Sequence, residues 1–196
     1  LDNARLEEFA SRLSEIGLAN NRPVVVYADS LASKGREGRI AWMLLYLGIE
    51  NVFMLDGGWR AWLNAGGCCD RQESRAERGS FSLRLDGRRR ISTDALARMC
   101  GSGKMPTSVD TRSLSEFQGD SFDYQPRTGH LPEAVQLSYE SLFEDSGNFI
   151  GREKFLSLLD PRVLADSSLI TYCEVGVRAS TYALLLEIYT GRVLPV

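Results

Sequence analysis

One histidine, His130, occurs in the whole 196-residue chain, and no two cysteines have the Cys-x-x-Cys spacing. These absences leave no zinc-type ligand set, so no metal is expected. No cofactor is expected either, because Gly35-Arg-Glu-Gly38 alone is too weak to identify a phosphate-binding loop. No apolar run approaches the roughly 18 residues needed to cross a bilayer, so no membrane segment is expected. An excess of positive charge is also lacking. Lys and Arg total 23 against 26 Asp and Glu, for a net charge of -3 and a pI near 5.3. Nothing therefore points to nucleic acid or an anionic membrane as partner. The one basic run, Arg88-Arg89-Arg90, follows Asp86-Gly87 and reads as a solvated turn. Residues 1–19 alternate charged and apolar positions as an amphipathic helix does, not as a signal peptide does. The chain opens at Leu1, which suits a processed product or a fragment. Its four cysteines, Cys68, Cys69, Cys100 and Cys173, have no framework spacing, so a reducing, cytoplasmic setting is expected.

What is present concentrates near the C-terminus. The apolar run Leu169-Ile-Thr-Tyr172 ends at Cys173, followed by Glu174, Val175, Gly176, Val177 and Arg178. A helical pattern runs from Ala179 to Tyr189. This spacing puts a thiol at the mouth of a strand–loop–helix turn, where backbone N–H groups and a helix N-terminus converge. Such surroundings favour a thiolate and stabilise an anionic sulfur species held on it. A lone cysteine after an apolar strand is usually a core residue, but the loop and an internal repeat argue otherwise.

That repeat has an offset of about 145 residues. In the first copy, a helical run to Leu18 precedes Val24-Val-Val-Tyr27, a loop ending at Arg39, the segment Ile40–Gly48, and Val52–Leu55. In the second, a run to Leu164 precedes Leu169–Tyr172, a loop ending at Arg178, an apolar helix to Gly191, and Val193–Val196. Helix, strand, loop, helix and strand recur, which predicts two α/β units with parallel sheets. Gly66 to Arg90 is rich in Gly, Ser and charge, and Ser92-Thr93-Asp94 is placed to cap a helix over 95–100. A strand is expected over Ser108–Arg112. The boundaries drawn are a first unit over 1–78, a linker over 79–90 and a second unit over 91–196. Ala28 stands in the first copy where Cys173 stands in the second, so only one copy has a nucleophile.

Four segments resemble the rhodanese (sulfurtransferase) superfamily, in its tandem form with an inactive first domain. Leu55-Asp-Gly-Gly-Trp-Arg-Ala-Trp62 is similar to the family's glycine–tryptophan signature, and Val109-Asp-Thr-Arg112 with Glu116, Phe117 and Gly119 to its opening strand. Gly129-His-Leu-Pro-Glu-Ala-Val135 is similar to its Gly-His-Ile-Pro-Gly-Ala stretch, and Cys173 to Ser180 resembles its active-site loop. The resemblance implies two domains, each a mostly parallel sheet flanked by helices. The first, and the end of the second, lack segments that the family has.

It also implies a sulfur transfer: Cys173 takes sulfane sulfur from a small anionic donor such as thiosulfate. It holds that sulfur as a persulfide and yields it to cyanide, a small thiol or a protein thiol. Residues 174–178 would form the substrate loop, Arg112 would match a substrate-site arginine, and Asp110 would orient the loop. His130 and the other three cysteines would stay outside the chemistry. Only four residues separate Cys173 and Arg178, one fewer than in the related dual-specificity phosphatases, which disfavours a phosphoryl substrate. The loop does not match the Cys-Gly-Ser-Gly-Val-Thr of 3-mercaptopyruvate enzymes, and Glu116 stands where that class has a second arginine. Thiosulfate is left by elimination, although Glu174 and Glu116 would each repel an anion by roughly a kilocalorie or more. A non-catalytic binding or regulatory module and a 3-mercaptopyruvate sulfurtransferase remain the alternatives.

Overall fold

The structure, a computed structural model, describes residues 3–120 and 127–196. Its first half runs α1 (Asn3–Glu15), β1 (Val24–Val26), α2 (Ser30–Ser33), α3 (Arg36–Leu47), β2 (Val52–Met54) and α4 (Gly58–Asn64). Its second half runs α5 (Thr93–Gly101), β3 (Thr107–Asp110), α6 (Leu114–Gln118), β4 (Val135–Gln136), α7 (Arg152–Leu158), α8 (Pro161–Ala165), β5 (Leu169–Tyr172) and α9 (Val177–Thr190). β1 pairs with β2, and β4, β3 and β5 form a three-stranded sheet in that order. Among the described residues each of these strand pairings is parallel. The protein is therefore α/β, with helices flanking parallel sheets, as the alternation of short apolar runs and helical patterns implied.

Local chemistry sets the helix ends. The Ser92 hydroxyl accepts from Ala95 N at 3.2 Å and starts α5. Ser113 and Glu116 form a reciprocal capping box on α6. Asp160 caps α8, with Pro161 in the first turn, where its missing N–H costs nothing. Each half buries its own apolar cluster. Leu13, Leu44, Leu47, Ile49 and Phe81 pack in the first. Val109, Leu142, Ile150, Phe155, Tyr182 and Leu186 lie within the larger cluster of the second.

The two halves meet where α3 packs on α9, with Ala41, Trp42 and Leu184 buried between them. The approach is close enough to require glycine. A Cβ on Gly38 would overlap the Thr181 hydroxyl and lie 2.8 Å from Thr181 Cβ and 2.9 Å from its Cα. Gly38 thus serves helix packing, and no phosphate loop is needed to account for it.

The structure corrects three expectations. Residues 193–196 do not form a strand: Thr171 N donates to Pro195 O at 3.1 Å, but Pro195 has no N–H to extend the ladder. The loop after β5 does not run to Arg178, because Val177 and Arg178 already lie in the first turn of α9. The run Arg88–Arg90 is not uniformly solvated. Arg89 is buried and makes two hydrogen bonds to Glu187 on α9, at 2.6 and 2.8 Å. Residues 79–86 are held along the first half. Gly79 N donates to Ser14 O, Arg84 N to Leu47 O and Asp86 N to Tyr46 O.

Candidate active site

In the three-stranded sheet Asp110 is in register with Tyr172. The chain leaving β3 and the chain leaving β5 therefore emerge side by side at the carboxyl end of the sheet, the usual ligand end of an open α/β fold. Thr111 N donates to Tyr172 O at 3.0 Å and ties the two exits together. This register sets Asp110 and Arg112 beside Tyr172, the residue before Cys173, although 61 residues separate Thr111 from Tyr172; neither lines the cleft at the thiol.

Cys173 is half-buried, Glu174 and Val175 are exposed, and Gly176 turns the chain into α9 with φ +78°. That left-handed geometry is cheap only for glycine. Space tells against a side chain as well: an added Cβ would lie 3.2 Å from Arg39 Nη1 and 3.3 Å from Val196 Cγ1. α9 begins at Val177, four residues after the thiol, and Ser180 N and Oγ both donate to Gly176 O.

The two arginines expected near the thiol are both held by carboxylates. Arg178 forms a fork with Glu116, with both bonds at 2.8 Å, and so latches α9 to α6. Arg112 is buried, with Nη2 donating to Asp110 at 2.6 Å and to Gly129 O at 2.8 Å. Its guanidinium lies 5.8 Å from the Tyr172 ring centre. Hydrogen bonding by Asp110 raises the Arg112 pKa above its ordinary value. Asp110, expected to orient the loop, binds Arg112 in this way. The ring of His130 stacks on Phe117 at 3.7 Å and its Nδ1 meets Phe117 O at 2.7 Å. Cys68, Cys69 and Cys100 are exposed free thiols, none of them lining the cleft at Cys173.

That cleft, about 310 Å³, contains two cations that the sequence did not single out: Arg39, from the other half, and Arg90, from the connecting segment. The Arg39 guanidinium lies 4.7 Å from the Trp42 ring centre. Burial pulls its pKa below the ordinary value, the charge of Cys173 acts in the opposite sense, and Arg90 depresses it further. A signal for Arg39 did exist in the repeat, where it closes the first loop as Arg178 closes the second. Among the described residues, no group of three or more His, Cys, Asp or Glu is arranged to hold a metal, and no helix is long and apolar enough to cross a membrane.

Comparison with known proteins agrees with the fold. A family model described as "Rhodanese-like domain" matches residues 1–65. A Mycobacterium tuberculosis protein named "Putative thiosulfate sulfurtransferase SseB" is 30% identical over 177 residues, covering 88% of this chain and 60% of that protein. The thiosulfate sulfurtransferase of Gallus gallus is 27% identical, covering 90% of this chain and 61% of its own. The chain thus spans about three-fifths of the length of these relatives. Among solved structures, SseA from Escherichia coli, described with the 3-mercaptopyruvate sulfotransferases, superposes with a TM-score of 0.77 at 19% identity. That match covers 96% of this chain and 71% of SseA.

Proposed function

The chain belongs to the rhodanese superfamily, and from that premise we propose that it moves sulfane sulfur through a persulfide on Cys173. The single observation behind this reading is the half-buried thiol at the end of β5, beside a left-handed Gly176 and the first turn of α9, in a cleft that also contains two arginines. N–H groups and cations in that position favour an anionic sulfur species over its neutral form.

With thiosulfate as donor, the Cys173 thiolate attacks the outer sulfur. A new S–S bond forms, the S–S bond of thiosulfate breaks, and its electron pair leaves with sulfite. Cyanide or a thiolate then attacks the terminal sulfur of the persulfide, and the Cys173 thiolate is regenerated. No net oxidation and no external electron carrier is required.

Two features support a small anionic donor. Glu116 is neutralised by its fork with Arg178, so it does not oppose an anion as its charge alone would. Glu174 is exposed, where water and salt screen its charge. In this reading, residues 91–196 form the sulfur-transfer unit and residues 1–78 a copy without a nucleophile, joined by 79–90.

The test is the intact mass of the protein after thiosulfate treatment and desalting, beside Cys173→Ser. The expected result is a gain of one sulfur atom, reversed by cyanide and absent from the variant. No adduct from thiosulfate or from a protein persulfide would leave a binding module and end the enzyme reading.

A further inference from the structure

We propose that Arg39, on the copy that has no nucleophile, receives the anionic end of the sulfur donor at Cys173 and so selects that donor across the α3–α9 interface. This rests on the persulfide reading of Cys173 and adds a residue to it. The nearby cations Arg112 and Arg178 are already neutralised, the first by Asp110 and the second by Glu116. Arg39 differs from both. Among the described residues it makes no ion pair with a carboxylate; its close neighbours are the Trp42 ring, the Gly176 backbone, Cys173 and the like charge of Arg90.

Arg39 and Arg90 line this one cleft, with the exposed Glu174 as the carboxylate on its lining, and the two guanidinium groups repel each other until an anion arrives between them. The cleft has further donors for that anion. Trp42 lines it, is only 4% exposed, and its indole N–H has no acceptor. Thr93, in the first turn of the nine-residue α5, lines it too, so a second helix N-terminus faces the same space. A buried indole N–H without a partner is costly. The ligand chemistry is that of a compact sulfur oxyanion with a sulfane sulfur, oriented with its oxygens toward Arg39 and its outer sulfur toward Cys173.

The experiment is calorimetric titration of thiosulfate into Cys173→Ser and into the same protein with Arg39→Gln or Arg39→Lys. Loss of a charge-assisted contact is expected to weaken binding about tenfold to a hundredfold in Arg39→Gln, with Arg39→Lys lying between. Melting curves confirm that each variant is folded. A dissociation constant for Arg39→Gln within about twofold of its parent would overturn the proposal. So would the absence of binding by Cys173→Ser at millimolar thiosulfate, a result that needs no Arg39 variant. Binding that depends on Arg39 without sulfur appearing on Cys173 from thiosulfate or from a protein persulfide would refute the persulfide reading and leave the anion site standing. Sulfur transfer with binding indifferent to Arg39 would do the reverse.

Discussion

Gly38→Ala tests whether the packing of α3 on α9 sets the position of the reactive loop. By helix propensity alone the change should stabilise α3, by up to about 1 kcal/mol, since glycine is the more costly residue within a helix. Packing opposes it. The new Cβ would overlap the Thr181 hydroxyl and lie 2.8 Å from Thr181 Cβ and 2.9 Å from its Cα. The last of these atoms belongs to the α9 backbone, so no rotamer change relieves the crowding and the helices must separate. Overpacking of a tight core costs about 1–3 kcal/mol. Because Ala41, Trp42 and Leu184 are buried at the same interface, the upper part of that range applies. The net loss is then about 1–2 kcal/mol, or a melting temperature lower by about 2–8 °C for a chain of this size. Sulfur loading measured well below the melt should slow as well, because α9 begins at the Cys173 loop and moves with the interface. Adding Thr181→Ala should restore part of the stability, since it removes the hydroxyl but leaves the crowding against the rest of residue 181. A melting temperature for Gly38→Ala equal to or above that of the parent would refute the reasoning.

Two further outcomes follow from polar interactions. The Arg178–Glu116 fork is less than one-fifth exposed on either side, so a double-mutant cycle with Arg178→Met and Glu116→Gln should yield a coupling of about 1–2 kcal/mol, between the surface and buried limits. A value below about 0.3 kcal/mol would show that α6 and α9 are not latched there. Asp166 accepts from Thr107 N at 3.0 Å and from Ser168 N at 2.7 Å, and its hydrogen bond to Thr107 foremost holds its pKa below the ordinary carboxylate value. A carboxyl lowered in the folded state stabilises above its unfolded pKa, and that stability is lost as pH falls through the folded one. Asp166→Asn should therefore be less stable than the parent near pH 7, and the gap should close below about pH 4. A gap that is the same at every pH would refute this.

Much of the architecture could be read from local patterns. Short apolar runs alternating with helical periodicity implied parallel α/β units, and the sheet pairings are parallel throughout. Ser92, Ser113 and Asp160 announce the helices they cap. A run misread as a strand, residues 193–196, failed for an equally local reason, the proline at 195. The thiol at the mouth of a glycine-containing loop was legible because strand, cysteine, glycine and helix are neighbours in the chain.

The electrostatics around that thiol were not legible, because charge partners are chosen by packing and register. Arg112 was a candidate to meet substrate, yet the β3 turn gives it to Asp110 and Gly129. Arg178 finds Glu116, 62 residues away, only because α6 and α9 flank adjacent strands of one sheet. Arg89, in a run that reads as solvated, is buried against Glu187. Arg39 reaches the Cys173 loop because Gly38 lets α3 approach α9. Sequence order thus determined which elements form and where the Cys173 thiol stands. The packing of two helices from different halves decided which cations remain unneutralised beside it, since Coulomb energy depends on distances through space that no local pattern encodes.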